Sequence, residues 1–264
     1  MNIVICGAAG KMGQAIISVS KLDSDINIVG ALDREHKAIN TKNITILPID
    51  KLETIICTTR SVIIDFTNPQ CTLNNIKIAK KYDTPIVIGT TGFSEHEKKY
   101  ILEVAKYIPI VLSPNMSIGM NIVFKLVEIM TRKLLDYNIE IVELHHNSKK
   151  DAPSGTANQI ADIISSNLGE NINDVAIYGR HGTNLNRKKN EIGIFSIRAG
   201  DIVGDHTIYF TGIGERLELT HRAHSRYPFA MGALKAAKWL SNKKSHGLYS
   251  MADVLDINDL NHIK

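Results

Sequence analysis

The sequence has few cysteines and no paired cysteine motif. Its three cysteines, Cys6, Cys57 and Cys71, are odd in number and have no short spacing. This argues against a disulfide framework or a zinc knuckle and is typical of a reducing compartment. No apolar run approaches the roughly 20 residues that cross a bilayer, and no signal peptide precedes the first predicted strand. We therefore expect a cytoplasmic protein with no membrane association.

The chain also lacks a strong excess of charge of one sign. Its formal net charge is +4, and its densest basic cluster, at 187–189, lies in a polar stretch that is typical of a solvated loop. No basic face with interleaved aromatic residues is present, which argues against nucleic-acid binding. Hydrophobic residues make up 44% of the chain, as in a globular protein with a substantial core. A small anionic ligand suits this balance.

Short apolar runs alternate with helical patterns over about the first 115 residues, which is typical of a parallel sheet wrapped by helices. After this stretch the rhythm changes to two helices and several strands joined by short turns, which predicts a smaller α+β domain with a mixed or antiparallel sheet. The predicted fold is therefore α/β, with a Rossmann-like dinucleotide-binding domain over 1–117, completed by 226–264, and a second domain for substrate binding and oligomerisation over 118–225. The predicted strands are 2–6, 27–32, 61–66, 85–88, 108–112, 139–146, 191–199, 205–212 and 215–221. The first predicted helix follows the first strand and ends near residue 20. The other predicted helices cover 71–82, 118–135, 156–168 and 229–240.

The first strand is followed by a glycine-rich turn. The turn reads Gly7, Ala8, Ala9, Gly10, Lys11, Met12 and Gly13, a variant of the dinucleotide fingerprint placed between a strand and a helix. Glycines there let the backbone approach a pyrophosphate, and the helix N-terminus faces its negative charge. Asp33 ends the second strand, where an acid can bond an adenosine ribose. The sequence therefore predicts a nicotinamide dinucleotide as cofactor.

The choice between NADH and NADPH stays open at this point. Asp33 favours the free ribose hydroxyl of NADH, whereas Arg34 and Lys11 are cations that could receive the extra phosphate of NADPH. Two further strand ends carry candidate nicotinamide contacts, because ligands of such sheets bind beyond the carboxyl ends of the strands. These candidates are Gly89, Thr90 and Thr91 after one strand, and Ser113, Pro114, Asn115 and Met116 after the next.

The segment HHNSKKDAPSGTA at 145–157 gathers titratable groups in front of a predicted helix. His145 and His146 end a strand whose preceding residues, Ile139, Ile141, Val142 and Leu144, are predicted to be buried. Lys149 follows in a loop, and the backbone amides of Gly155 and Thr156 are expected to be unpaired donors at the helix start, a natural seat for a carboxylate. Adjacent strand residues point to opposite faces, so the histidines are not expected to share a metal ion. The segment predicts an anion site with proton-transfer groups, although solvated loop histidines remain the structural alternative.

The same segment, from Glu143 to Ala157, closely resembles the signature of the 4-hydroxy-tetrahydrodipicolinate reductase family, also called dihydrodipicolinate reductase. The likeness extends to the glycine turn and to stretches along the rest of the chain: 65–67, 89–93, 114–117, 198–204 and 214–216. The resemblance implies a two-domain reductase, usually a homotetramer, that transfers a hydride from NADH or NADPH to a cyclic imine dicarboxylate in lysine and diaminopimelate biosynthesis.

The resemblance also implies roles for particular residues. It makes His145 the acid/base histidine and Lys149 the proton-donating lysine, with His146, Gly155 and Thr156 binding substrate. The cofactor contacts that it implies are those named above, from Gly7 to Met12, at Asp33 and Arg34, and at the two strand ends. Lys11 stands where arginine is frequent and Asn68 where some members have a basic residue, which argues against a strong preference for NADPH.

Two other functions fit the domain pattern. One is another two-domain NAD(P)-dependent dehydrogenase of amino-acid biosynthesis, such as an aspartate-semialdehyde or homoserine dehydrogenase. The other is a non-catalytic NAD(P)H sensor, which would have no use for the histidine and lysine segment.

Overall fold

The computed structural model describes residues 1–34, 44–183 and 185–258. The chain divides into two compact units. The first unit is formed by Met1–Ile118 with Arg226–Lys264, and the second unit by Gly119–Ser225. Among the described residues, no helix combines the length and the apolarity needed to cross a membrane.

The first unit is built on a parallel sheet of seven strands. They are β1 (Asn2–Cys6), β2 (Asn27–Asp33), β3 (Ile46–Pro48), β4 (Val62–Asp65), β5 (Ile86–Ile88), β6 (Pro109–Leu112) and β12 (Gly247–Tyr249). Their order is β12-β6-β5-β4-β1-β2-β3. The central strands are almost continuous apolar runs because both faces of the sheet are covered. From β1 the following strands are added towards one edge of the sheet, and from β4 they are added towards the other edge. Sheets of this kind bind ligands at such a switch point, here between β1 and β4.

Helices cover both faces of this sheet. They are α1 (Lys11–Ser20), α2 (Leu52–Ile56), α3 (Pro69–Lys81), α4 (Glu95–Val104), α8 (Tyr227–Ser241) and α9 (Met251–Leu255). One core cluster joins α1, α8 and α9 to one face, and another joins α2, α3 and α4 to the other. Helices on two faces of a parallel sheet confirm the predicted Rossmann-like α/β fold.

The structure corrects several details of the sequence prediction for this unit. The helix predicted from residue 71 begins at Pro69, because Asn68 caps it by accepting a hydrogen bond from the Cys71 amide. The last strand and helix, β12 and α9, follow the helix predicted at 229–240, in a stretch where no further element was predicted. β12 has only three residues and no alternating pattern, so its parallel pairing with β6 identifies it.

The second unit contains a mixed sheet, as predicted, but it has five strands because the strand at 176–178 was not predicted. The strands are β7 (Asn138–His145), β8 (Ala176–Tyr178), β9 (Ile192–Arg198), β10 (Gly204–Thr211) and β11 (Arg216–Ala223), in the order β11-β10-β7-β9-β8. β10 pairs antiparallel with β7 and β11, whereas β9 pairs parallel with β7 and β8. The helices are α5 (Ile118–Lys133), α6 (Gly155–Leu168) and α7 (Ile172–Val175). Side chains of the helices and of one sheet face form the core.

Strand β7 differs from the prediction in its buried face. Ile139 and Ile141 are buried as expected, but Val142 and Leu144 are only half-buried on the opposite face. Successive side chains of a strand alternate between faces, so the buried set continues through Glu143 and His145. The alternation therefore carries two titratable residues into the edge of the core.

Candidate active site

The turn between β1 and α1 has the backbone geometry of a dinucleotide loop. Gly7 has a φ of 84°, and a Cβ atom there would lie 2.4 Å from the carbonyl oxygen of Phe66. A Cβ atom on Gly13 would lie 2.2 Å from the carbonyl oxygen of Gly7. Both positions therefore require glycine, one for its conformation and both for close packing.

The N-terminus of α1 is open to an anion. Gly10 is the N-cap residue and provides no side chain to bond the amides of the first turn. In the described part of the chain, no residue accepts a hydrogen bond from the amides of Lys11, Met12 or Gly13. Unpaired amides and the helix dipole together favour a phosphate group at this point. The residues present thus fit the pyrophosphate of a nicotinamide dinucleotide.

Asp33 closes this loop at the carboxyl end of β2. Its Oδ2 accepts a hydrogen bond from the Ala9 amide at 2.9 Å, and its Oδ1 accepts one from the Arg34 amide at 2.7 Å. The side chains of Arg34 and Lys11 are exposed near the same loop. The predicted acid and both predicted cations therefore belong to one end of the first unit, as the sequence suggested.

The other predicted cofactor residues lie at the carboxyl ends of β5 and β6. Gly89 is half-buried, Thr90 is buried and Thr91 is exposed, whereas Pro114 is exposed between buried Ser113 and Asn115. Ala8 and Met116 differ from these because their side chains are packed in the hydrophobic core. Any contact of these two residues with a cofactor must therefore come from the backbone.

A buried carboxylate that the sequence did not single out links two of these strand ends. Asp65, the last residue of β4, is fully buried and accepts hydrogen bonds from the side chains of Thr67, Thr72, Thr90 and Asn75. Burial raises the pKa of this carboxyl group, and the four donors partly offset the rise. The network fixes the loop after β4 against the loop after β5.

His145, in the second unit, ends β7 and is buried except for 8% of its surface. Its Nδ1 forms a short hydrogen bond with Oε2 of Glu143, which lies two residues earlier on the same face of the strand. The ring of His206 packs edge-on against that of His145, with 5.2 Å between centroids. Burial, together with the nearby His145, lowers the pKa of His206 to about 3, so His206 is neutral at physiological pH.

A turn after β7 places the predicted lysine beside this histidine segment. The amide of Lys149 donates to the carbonyl oxygen of His146 at 3.1 Å. The Lys149 Nζ atom lies 2.8 Å from Oδ1 of Asp151. His146 Nδ1 and the hydroxyl group of Ser148 lie 2.8 Å apart. The Lys149 side chain is therefore only partly exposed, whereas Lys150 is exposed to solvent.

Helix α6 begins at the predicted anion site. Ser154 is its N-cap residue, and its Oγ accepts a hydrogen bond from the Ala157 amide at 3.2 Å. No described residue accepts a hydrogen bond from the amide of Gly155, the first helical residue. A Cβ atom at Gly155 would meet no atom within 4 Å. The helix N-terminus is thus open on the side of Gly155.

Sequence reasoning missed Glu143, Arg198 and His206 as site residues. Arg198 binds the Glu143 carboxylate with both Nη atoms, at 2.9 Å and 2.7 Å. Two signals could have found Glu143 and Arg198: the alternation of β7 places Glu143 on the buried face, and the family resemblance includes Glu143 and the stretch 198–204. Arg198 and His206 come from β9 and β10, more than 50 residues along the chain from Glu143. Within the described part of the chain, no cluster of histidine, cysteine or acidic residues is arranged to hold a metal ion.

A dinucleotide-binding unit and a second unit with an anion site and proton-transfer groups are typical of a nicotinamide-dependent reductase of small anions. Family models agree: the dihydrodipicolinate reductase N-terminus matches residues 1–116, and its C-terminus matches residues 119–255. The chain belongs to the dihydrodipicolinate reductase family. It is an oxidoreductase, and its cofactor is NADH or NADPH.

Individual relatives support this assignment. The chain is 44% identical to a 4-hydroxy-tetrahydrodipicolinate reductase of Trichlorobacter lovleyi over 269 residues, covering 97% of this chain and 99% of the relative. It is also 44% identical to the enzyme of that name from Geobacter sulfurreducens over 268 residues, with 97% and 99% covered. The dipicolinate-bound dihydrodipicolinate reductase of Paenisporosarcina sp. TG-14 has the same fold, with a TM-score of 0.76, 23% identity, and 96% of this chain and 98% of that chain covered. The family assignment displaces both alternatives, the other dehydrogenases and the sensor.

Proposed function

We propose that the chain reduces 4-hydroxy-tetrahydrodipicolinate to tetrahydrodipicolinate in lysine and diaminopimelate biosynthesis. In this reaction one hydride and one proton add to the substrate, and one water molecule leaves. NADH or NADPH supplies the hydride when bound. The observation that carries the proposal is the segment 145–156, where an imidazole, an ammonium group and an open helix N-terminus lie together in the second unit.

The start of α6 binds one carboxylate of the substrate in this proposal. The Gly155 amide points out of the first helical turn, and the dipole of the helix favours a negative charge there. Thr156 in the same turn and His146, which directly follows β7, complete the predicted binding set. A ring with two carboxylates also explains why cations gather beside a helix start.

His145 and Lys149 move protons in this proposal. Hydride addition to a conjugated imine builds negative charge on the ring, so a proton must be delivered in the same region. Lys149 supplies it, and the ion pair with Asp151 orients the ammonium group. His145, with Nδ1 bonded to Glu143, has Nε2 as the nitrogen that exchanges a proton.

The first unit binds the dinucleotide in this proposal, with the glycine turn at the pyrophosphate and Asp33 at the adenosine ribose. The loops after β5 and β6 border the nicotinamide. The loop after β5 is held in place through the hydrogen bond from Thr90 to Asp65. The predicted contacts are Gly89–Thr91 in the first loop and Ser113–Met116 in the second, where the hydroxyl group of Ser113 donates to the carbonyl oxygen of Asn115 at 2.8 Å.

The proposed activity is tested by following NADPH or NADH oxidation with freshly generated 4-hydroxy-tetrahydrodipicolinate. We expect turnover with this substrate and none with aspartate semialdehyde. Turnover with the aldehyde alone would contradict the proposal.

Both cofactors should support turnover. The carboxylate of Asp33 favours the free hydroxyl of NADH, and the exposed Arg34 and Lys11 favour the phosphate of NADPH. We expect kcat/KM values within roughly tenfold of each other, about 1.4 kcal/mol. Asp33→Ala should weaken NADH more than NADPH, and Arg34→Ala should do the reverse. A strict requirement for NADPH in the unmodified chain would show that Asp33 does not set this balance.

We also propose that the chain acts as a cytoplasmic homotetramer. The face of the second sheet that does not join the core carries apolar side chains, among them Val142, Phe195 and Ile197, the last 43% exposed. Covering such a face by another copy would remove apolar area from water. Light scattering should give the mass of four chains, and the mass of one chain would contradict the assignment. The three cysteines are unpaired, as expected in a reducing compartment such as the cytoplasm. Cell fractionation would test the proposed cytoplasmic location.

A further inference from the structure

Glu143 is the most deeply buried charged residue of the second unit's site, with none of its surface exposed. Its carboxylate receives hydrogen bonds from three different parts of the chain. Oε2 interacts with Nδ1 of His145 and with Nη1 of Arg198 at 2.9 Å. Oε1 accepts from Nη2 of Arg198 at 2.7 Å and from the amide of Ser154 at 3.2 Å. One carboxylate therefore contacts the end of β7, the end of β9 and the start of α6.

The carboxylate of Glu143 is ionised at neutral pH despite its burial. Burial by itself raises the pKa of this group, but the hydrogen bonds from His145 and Arg198 outweigh it and hold the pKa well below its ordinary value. Arg198 is itself anchored, because its Nη2 also donates to the carbonyl oxygen of Asp151 at 2.6 Å. The buried charge is therefore compensated by a fixed partner.

An ionised carboxylate dictates the protonation of His145. It can only accept hydrogen bonds, so the Nδ1 atom of His145 must carry a hydrogen whether the ring is neutral or charged. Nε2 is then the only nitrogen that gains or loses a proton. Gly204 lies close to this nitrogen, because a Cβ atom there would be only 3.0 Å from Nε2, and the absence of a side chain avoids that crowded contact.

The same carboxylate also holds the residue in front of the anion site. Ser154, whose amide binds Glu143, caps α6 and directly precedes Gly155. The hydroxyl group of Ser154 lies 3.2 Å from Nε2 of His206, whose ring packs against His145. The imidazole and the helix start thus have two shared supports, Glu143 and His206.

We propose that Glu143 is a positioning residue that fixes the tautomer of His145 and, through Ser154, the placement of the anion-binding start of α6. The proton-transfer nitrogen and the carboxylate seat are thereby aligned by one buried group. This inference rests on the proposed function for the roles of His145 and Gly155. Glu143 can be read from the sequence, but its contacts with His145, Arg198 and Ser154 form only in the folded unit.

The test compares Glu143→Gln with Glu140→Gln. Glu140 lies on the same strand and also binds two arginines, Arg180 and Arg187, but it does not contact His145. We expect Glu143→Gln to lower kcat by ~100-fold or more, in the direction of the ~10⁴-fold loss that follows when the carboxylate orienting the histidine of a serine-protease triad is neutralised. It should also weaken competition by pyridine-2,6-dicarboxylate, whereas Glu140→Gln should stay within about twofold on both measures.

Nitrogen-15 NMR of histidine-labelled protein provides a readout that a purely structural role would not change. The His145 signals, assigned by their loss in His145→Gln, should report a single tautomer with hydrogen on Nδ1 in the unmodified chain and a mixture of both tautomers in Glu143→Gln. Adding Glu143→Gln to His145→Gln should lower kcat little further, because the two residues act as a unit. An unchanged tautomer in Glu143→Gln, or a full additional loss in the double variant, would overturn the inference.

A second variant covers the case in which Glu143→Gln does not fold. Arg198→Lys keeps the carboxylate charged but replaces a two-pronged contact with a single point charge, so it should give a smaller shift of the same tautomer signal. An unaltered signal there would count against the inference. The NMR measurement needs no substrate, so a failure of the proposed reaction in the unmodified chain would be seen separately in the oxidation assay.

Discussion

Replacing Lys149 by alanine should lower kcat by about 100-fold or more, which is the scale of loss when a general acid is removed. Lys149 is partly buried, and its ammonium group is oriented by Asp151 at 2.8 Å. Because Lys149 belongs to the second unit, the dissociation constant for NADH should remain nearly unchanged. Stopped-flow measurement of NADH oxidation gives the rate, and fluorescence titration gives the cofactor affinity.

Lys150→Ala is the matched control for this prediction. It removes the same charge from the adjacent residue, whose side chain is exposed. Turnover should change by less than about twofold, as for most exposed substitutions away from a site. Equal losses in the two variants would show that general positive charge, and not a positioned proton donor, is what the reaction needs.

Replacing Gly155 by proline should weaken inhibition by pyridine-2,6-dicarboxylate by more than about tenfold, because one charge-assisted hydrogen bond contributes about 1.5–3 kcal/mol. This planar analogue has two carboxylates at the spacing of the substrate. Proline removes the Gly155 amide hydrogen and is well tolerated as the first residue of a helix. Ser154, with φ of −66° and ψ of 157°, already has the extended conformation that precedes proline without strain.

Gly155→Ala distinguishes loss of the amide hydrogen from addition of bulk. It keeps the amide, and the space around a Cβ atom at this position is open, so inhibition should stay within about threefold. Circular dichroism and thermal unfolding would confirm that both variants are folded. If the folded proline variant is inhibited as strongly as the unmodified chain, the carboxylate seat lies elsewhere.

Local patterns in the sequence were sufficient for the Rossmann-like fold and for most elements near the site. The apolar runs and the glycine turn predict β1 followed by α1, because burial on both faces and a left-handed glycine leave direct traces in a few consecutive residues. The start of α6 was predicted for the same reason, since proline, a small hydroxyl residue and glycine together favour a helix N-terminus. Each of these features is determined by a few neighbouring residues in the sequence.

Only the tertiary structure decided how the second unit's site is held together. Sequence hydropathy placed Val142 and Leu144 in the core, whereas the strand turns Glu143 and His145 inward. The parallel register of β7 with β9 sets His145 opposite Arg198, and this brings a guanidinium group to Glu143 from 55 residues away. No local periodicity encodes such a register. The register is fixed because the buried Glu143 carboxylate must find hydrogen-bond donors while the apolar face of the sheet packs into the core. Both conditions exist only once the whole sheet has formed.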